Sequence, residues 1–248
     1  MGQADWVAFK GADFDQRLIH GGLPPFYLKN SLPERDMQEW MEGYWAKDIQ
    51  ELFRIERKAA FDRFVELLFA QSGGIFEAQS FAKDCEVSRP TISNYLRALE
   101  ATQVVQVVRP FSSRKSNEIL VAPKVYGFDT GFVSYFRGLK RLDTGDHGLY
   151  WEHYVLNELL AQNQDWSIRY WRDKQDREVD FVVVRRGRPP IALECKWSDK
   201  NISSKNAAAF LARYPDADYH FVVREPSQKR GGKLDVLSLD ECIAKLLA

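Results

Sequence analysis

Two β-type runs joined by a short turn, 178-EVDFVVVRRGRPPIALECK-196, decide which fold this sequence predicts. The runs Glu178–Arg185 and Ile191–Lys196 are rich in β-branched and apolar residues, and the Gly and Pro residues between them favour a turn. Side chains alternate along a strand, so Glu194 and Lys196 share one face of the sheet. If the two strands form a hairpin, Asp180 can lie opposite them.

The acidic side chains around this hairpin form a candidate metal site. Asp180 and Glu194 lie on the two strands, and Glu152 lies one turn into a preceding predicted helix, where it can point over the same sheet edge. Converging carboxylates repel each other unless a hard cation neutralises them, and such an ion polarises a phosphodiester and activates water. Lys196 would help to position or deprotonate that water and offset charge on the phosphorus. The catalytic candidates are Glu152, Asp180, Glu194 and Lys196, and the first three are also the candidate metal ligands.

A plainer interpretation of these charges is also open. Glu194 and Lys196 can form an exposed ion pair of little energetic weight, and a helical glutamate such as Glu152 is usually solvated. The apolar run that precedes Glu194 favours a site, because it puts the charges at the end of a buried strand.

The segments around the hairpin predict a domain of the α/β class. Helical and strand-like patterns follow one another in the order αβββαβ with additions, so helices can cover both faces of a central sheet. The predicted elements are a helix from Gly148 to about Leu160, strands Ile168–Trp171, Glu178–Arg185 and Ile191–Lys196, a helix Lys205–Tyr214, strands Tyr219–Arg224 and Leu234–Leu237, and a last helix opened by Ser238 or Asp240.

Residues 55–126 predict a winged helix-turn-helix. An amphipathic helix carries Phe61 to Phe69, a short helix follows, and Ser88 can cap a third helix that buries Ile92, Leu96 and Leu99. The runs 104–108 and 118–121 then predict a β-hairpin wing. Such a unit either binds DNA by placing its third helix in the major groove or serves as a dimerisation or packing module. The candidate DNA-binding residues are Arg89, Thr91, Ser93, Asn94 and Arg97 on the helix and Arg114 and Lys115 on the wing.

Composition narrows the classes of protein. The net charge is zero, with 35 basic and 35 acidic residues, yet residues 164–233 hold 15 basic against 10 acidic side chains. Local phosphate binding would need such a surplus, and a solvated surface can equally carry it. Apolar stretches are only strand-sized, no secretion leader opens the chain, and the three cysteines are far apart. We therefore expect a cytoplasmic protein with no membrane partner and no disulfide framework. The oligomeric state is left open.

The spacing D-x13-E-x-K across a hairpin resembles the PD-(D/E)XK, or restriction-endonuclease-like, nuclease superfamily. The chain resembles more closely the C-terminal domain of unknown function of bacterial and archaeal AAA-type ATPases. It departs from the superfamily in having Val179 where many members have proline, and it lacks a GxxxxGK(S/T) phosphate-binding loop. The stretches that carry the resemblance are Gly21–Pro24, Tyr44–Asp48, Ser88–Leu99, Pro123–Phe132, Gly148–Glu152, Tyr170–Arg172, Glu178–Phe181 and Leu193–Lys196.

The resemblance implies three parts: a helical remnant of an ATPase-linked segment (1–54), the winged helix-turn-helix (55–126) and a nuclease-like α/β/α domain with a mixed sheet (127–248). It implies a DNA-binding, Mg²⁺- or Mn²⁺-dependent phosphodiesterase that works with an AAA-type ATPase in the same or a separate chain. No ATP hydrolysis is expected from this chain itself. Two alternatives are a non-catalytic recognition or regulatory module with a nuclease fold, and a transcription regulator that uses only its winged helix.

Overall fold

The computed structural model describes residues 13–112, 122–162, 165–200, 202–227 and 234–248. The chain divides into two compact units, of which the first comprises residues 1–107 and 124–143 and the second comprises residues 108–123 and 144–248. The first unit is mostly helical, and the second is built on a mixed β-sheet, so the chain is of mixed α/β class.

The first unit is formed by helices with aromatic side chains between them. Helix α3 continues beyond its last residue as a π-helix, Trp45–Gln50, and a final turn, Glu51–Phe53. The short strand β1 pairs with β3 in antiparallel register. The described elements are α1 (Phe14–His20), α2 (Pro24–Tyr27), α3 (Glu34–Tyr44), α4 (Lys58–Ala70), β1 (Gly74–Ile75), α5 (Ala78–Asp84), α6 (Arg89–Ala101), the start of β2 (Val105–Pro110), β3 (Lys124–Gly127) and α7 (Thr130–Arg137).

Helices α4, α5 and α6 lie where the sequence pattern predicts them. Ser88 caps α6 by accepting the N–H of Thr91 at 3.2 Å, and Pro90 lies in the first turn. The predicted stripe of Ile92, Leu96 and Leu99 is buried, which confirms the helical period. The second predicted wing strand, 118–121, lies outside the described residues, as do Arg114 and Lys115.

Residues 127–143 belong to the first unit, although the division implied by the resemblance placed them in the third part of the chain. The reason is the packing of α7: the ring centre of Phe132 lies 5.5 Å from that of Phe26, and the ring centre of Phe136 lies 5.0 Å from that of Phe69. The buried Asp129 caps α7 and also accepts the N–H of Gly22 at 2.7 Å. These contacts join α7 to segments far earlier in the chain, and no local sequence signal reports them.

The second unit contains a mixed sheet with the strand order β2-β4-β5-β6-β7-β8. The pairs β4–β5 and β5–β6 are antiparallel, while β2–β4, β6–β7 and β7–β8 are parallel. The elements of this unit are the end of β2, α8 (His147–Gln162), β4 (Ser167–Arg172), β5 (Glu178–Val184), β6 (Ile191–Lys196), α9 (Lys205–Arg213), β7 (Asp218–Val223), β8 (Leu234–Leu237) and α10 (Leu239–Leu247). From α8 onwards the predicted elements are confirmed, and no end is displaced by more than two residues. Strand β2, whose run 104–108 was predicted as part of the wing, pairs at its end with β4 of this sheet.

Helices lie against both faces of this sheet. On one face, Ala207 and Phe210 of α9 pack in a buried cluster with Ala192 and Tyr219. On the other face, the indole of Trp151 in α8 donates to the carbonyl of Val222 at 2.9 Å. The last helix starts with a capping box, in which Ser238 and Glu241 bond each other's backbone N–H groups.

The three cysteines all fall within the described residues, where they are buried and form no disulfide. Among the helices of the described ranges, none combines the length and the apolar character needed to cross a lipid bilayer.

Candidate active site

The candidate site lies where β5 begins and β6 ends. The two strands pair from Val183 opposite Ile191 to Phe181 opposite Leu193, and continuing this register by one residue places Asp180 across from Glu194. At this point the Asp180 carboxylate (Oδ2) accepts the backbone N–H of Cys195 at 2.7 Å. This hydrogen bond holds the Asp180 side chain beside the end of β6.

Glu194 is the most buried of the predicted site residues, with a side chain only 4% exposed. Lys196 Nζ donates to its Oε1 at 2.8 Å, and the hydroxyl of Tyr219 donates to its Oε2. The amide of Asn206 is a longer contact, 3.5 Å from Oε1. A buried carboxylate is costly unless it is paired and hydrogen-bonded, and these partners supply both conditions.

Lys196, Tyr219 and Cys195 have shifted pKa values, because each is buried and lies close to charged carboxylates. Burial acts to lower the pKa of Lys196, but the hydrogen bond and charge of Glu194, together with the charge of Asp180, raise it overall. Burial, then Glu194 and Asp180, raises the pKa of the Tyr219 hydroxyl. Burial also raises the pKa of the Cys195 thiol, and Asp180 and Glu152 add to this rise.

The structure therefore brings Asp180, Glu194 and Lys196 into one cluster and places the charge of Glu152 close enough to act on the neighbouring thiol. It does not gather three carboxylates at a point: within the described ranges, no three His, Cys, Asp or Glu side chains are grouped closely enough to enclose a metal ion. The donor chemistry suits an ion that needs fewer protein ligands. Mg²⁺ is commonly held by one or two carboxylates and keeps several waters, and Asp180 with Glu194 matches that requirement.

Two side chains of the site, Tyr219 and Asn206, were not found by sequence reasoning. Tyr219 is opposite Ala192 in the parallel β6–β7 register, so it shares a face with Glu194 two residues further along β6. Strand alternation alone would have identified it if the pairing of β6 with β7 had been known. Asn206 stands in the first turn of α9, where nothing in the local sequence marks it.

The tryptophans that flank the strands are packed against other side chains. Trp171 is 4% exposed and belongs to the core on the α9 side. The ring of Trp197 stacks on His147 with 4.2 Å between centroids, and the guanidinium of Arg224 lies 4.8 Å from its centre. Both tryptophans therefore make packing contacts with neighbouring side chains.

The helix residues predicted to contact DNA are at the surface of the first unit. Arg89, Asn94 and Arg97 are exposed, while Thr91 and Ser93 are half-buried. Arg97 donates to the amide oxygen of Asn94. The remaining candidates, Arg114 and Lys115, are outside the described residues.

Comparisons with known proteins give two family matches that meet close to residue 145, where the second compact unit resumes, although residues 108–123 of that unit fall within the first match. A family model described as "Domain of unknown function (DUF8612)" matches residues 11–143, more than half of the chain, and a second, "Domain of unknown function (DUF4143)", matches residues 147–241. The chain is 30% identical over 183 residues to the uncharacterized proteins Rv2008c of Mycobacterium tuberculosis and Mb2031c of Mycobacterium bovis. These matches cover 71% of this chain and 41% of each relative, so the chain spans less than half the length of those relatives.

Among solved structures, a similarity was found to a chain of the Thermococcus gammatolerans assembly of McrB AAA+ hexamers with bound McrC. Identity is 12%, coverage is 71% of this chain and 46% of that chain, and the TM-score is 0.27. A score this low carries no argument about fold.

Proposed function

This chain belongs to the family described as Domain of unknown function (DUF8612), and we propose from its own side chains that it is a DNA-binding, metal-dependent phosphodiesterase of the restriction-endonuclease-like type. The first unit would supply affinity for DNA through a winged helix, and the second would cleave. The observation that carries the proposal is the cluster of Asp180, Glu194 and Lys196 at the end of the β5–β6 hairpin.

Each residue of the cluster has a role in phosphodiester hydrolysis. Asp180 and Glu194 would hold Mg²⁺ or Mn²⁺, with Glu152 completing or orienting the metal sphere. When bound, the ion would polarise the phosphodiester and lower the pKa of its water. Lys196 is already positioned against a carboxylate, so its ammonium can hold the attacking water and offset charge that develops on the phosphate. Tyr219 would keep Glu194 oriented from the buried side of the sheet.

DNA affinity is proposed for the exposed side of α6. A helix fits the major groove, and polar side chains near its start reach base edges and phosphates. Arg89, Asn94 and Arg97 are exposed on this helix and have the chemistry for both contacts. The proposal extends to Arg114 and Lys115 of the predicted wing.

Association with an AAA-type ATPase is the second half of the proposal. It rests on the resemblance of the chain to the C-terminal domain of such ATPases and on its match to 41% of the length of longer relatives. The ATPase would be a further part of the same protein or a separate chain.

The test is cleavage of supercoiled and single-stranded DNA with Mg²⁺ or Mn²⁺, compared with the same reactions in a chelator. Asp180→Asn and Lys196→Ala should abolish nicking, while Asp216→Ala and Arg188→Ala should leave it unchanged, because these two exposed residues lie in the connections before β7 and β6, at the opposite end of the strands from the cluster. The asparagine retains an acceptor for the N–H of Cys195, so the first variant isolates the charge of Asp180. Nicking that persists in both site variants would contradict the proposal.

A non-catalytic recognition module is the second candidate, and one observation favours it. Both oxygens of Glu194 are engaged, by Lys196 and by Tyr219, so groups of the protein itself compensate its charge. Under this function no nicking would be seen with either metal, and the site variants would bind DNA like the wild type. A transcription regulator that uses only its winged helix predicts sequence-specific binding that Glu194→Ala leaves unchanged.

A further inference from the structure

An open cleft of about 730 Å³ lies in the second unit, between the end of β2, the end of β4 with its following turn, and the last turn of α9. Its walls are tied together by the N–H of Phe111, which donates to the carbonyl of Tyr170 at 2.6 Å. None of the residues assigned above to the cluster around Glu194 lines it.

The floor of the cleft is aromatic. The rings of Phe111 and Tyr214 lie 4.9 Å apart and are both half-buried, so each keeps an accessible surface towards the cleft. Beneath them, Phe210 is fully buried with its ring 4.9 Å from Tyr214. The two upper rings are therefore held in place by the core rather than by solvent-exposed neighbours.

The rim of the cleft is cationic. Among the residues that the structure describes, four basic side chains line it against one acidic side chain, Asp173. Asp173 is occupied by Arg177 and by the backbone N–H groups of the turn, which fixes the shape of that turn. Lys174 and Arg213 are exposed, and no acidic partner is found for either among the residues that the structure describes. The four basic residues are Arg172, Lys174, Arg177 and Arg213.

We propose that this cleft binds a short run of unpaired nucleotides, with bases on Phe111 and Tyr214 and phosphates on the basic rim. The choice of ligand rests on the proposed function. Aromatic rings accept the faces of unstacked bases, and a cationic groove follows the phosphates, which together describe recognition of single strands. A duplex keeps its base faces covered and offers only phosphates, so the rings would contribute nothing to its binding.

The cleft lies at the same end of the sheet as the cluster around Glu194. Strand β4 ends at Arg172, and β5 begins at Glu178, two residues before Asp180. A single nucleic-acid strand held in the cleft would therefore lead towards the start of β5. The cleft selects an unpaired flank of the substrate, and the cluster acts on a phosphodiester further along it.

The test measures binding of the full chain to a labelled thymidine oligonucleotide of about 12 nucleotides, and to a matched duplex, in chelator so that no cleavage intervenes. Lys174→Glu/Arg213→Glu should weaken single-strand binding at least about tenfold and reduce the slope of log affinity against log salt by about 1.4, since each phosphate contact contributes about 0.7. The matched control is Arg186→Glu/Arg188→Glu, which reverses two exposed charges at the opposite end of β5.

A second variant separates stacking from charge. Phe111→Leu keeps apolar volume against Phe210 but removes the ring, and it should weaken single-strand binding several-fold with an unchanged salt slope. Equal losses for duplex and single strand in these variants, or no loss at all, would overturn the inference. Binding of an acidic peptide in preference to the oligonucleotide would overturn it as well.

The two proposals fail separately. If the cleft variants lose oligonucleotide binding while no metal produces nicking, the cleft stands and catalysis does not. If Asp180→Asn abolishes nicking while the cleft variants bind like the wild type, catalysis stands and the cleft does not.

Discussion

Replacing Lys196 with Met should cost more stability than replacing Glu194 with Gln, although both changes break the same ion pair. The side chain of Glu194 is 4% exposed and that of Lys196 is 42% exposed. Removing one partner of a fully buried pair costs about 3–5 kcal/mol, because a charge is left without compensation. Solvent reaches Lys196, which screens the pair, so for Lys196→Met we expect about 2–3 kcal/mol.

Replacing Glu194 with Gln instead leaves Lys196 without its anionic partner, but water can solvate this half-exposed ammonium. The glutamine oxygen would keep an acceptor for the hydroxyl of Tyr219, but its buried NH2 group would face the Lys196 ammonium without an acceptor, so Glu194→Gln should cost about 1–2 kcal/mol. Urea unfolding of the two variants and of wild type measures the difference, provided that the slope with denaturant is unchanged. If the two substitutions cost the same, or if Glu194→Gln costs more, then the buried Glu194 does not need the charge of Lys196 more than Lys196 needs that of Glu194, and the reasoning is refuted.

Adding Mg²⁺ extends this experiment to the metal. An ion held by Glu194 would replace the missing ammonium, so the stability of Lys196→Met should recover by about 2.7 kcal/mol at a hundredfold excess over the dissociation constant. Glu194→Gln is the control and should not respond. If Lys196→Met is equally unstable with and without the ion, Glu194 is not a metal ligand.

Three further predictions concern the structure around the sites. Ser88→Ala should lower the free energy of unfolding by about 1 kcal/mol, since it removes the cap of α6, as measured by urea denaturation. Gly21→Ala should lower the free energy of unfolding by about 3 kcal/mol or more, because φ is +81° and the new Cβ would collide with the carboxylate of Asp129. Gly43→Ala is the control: it lies within α3 with open space around it, so it should be neutral or stabilising by up to about 1 kcal/mol. Burial lowers the pKa of His220 in the folded protein below its ordinary value of 6.5. The unfolded chain therefore binds a proton at a higher pH than the folded protein does. As the pH drops from 6.5 towards the lowered pKa, the free energy of unfolding should fall by up to about 1.4 kcal/mol per pH unit. In His220→Leu this part of the acid dependence should disappear, and an unchanged dependence would contradict the assignment.

Local patterns predicted the elements of the second unit from α8 onwards. The β-branched runs, the Gly and Pro turn and the alternation along β6 indicated both strands and the shared face of Glu194 and Lys196, because each depends on residues a few positions apart. The capping signal of Ser238 and the periodicity of Ile92, Leu96 and Leu99 are equally local, and the structure confirms them.

Sequence patterns were thus sufficient for helices α4 to α6 and for the order and type of the elements from α8 onwards. They could not show that α7 packs on helices far earlier in the chain, that Tyr219 from β7 holds Glu194, or that the rings of Phe111 and Tyr214 meet in one cleft. The physical reason is that these contacts depend on which apolar surfaces bury each other and which strands become neighbours. That choice is made by long-range packing and leaves no periodicity in any one segment.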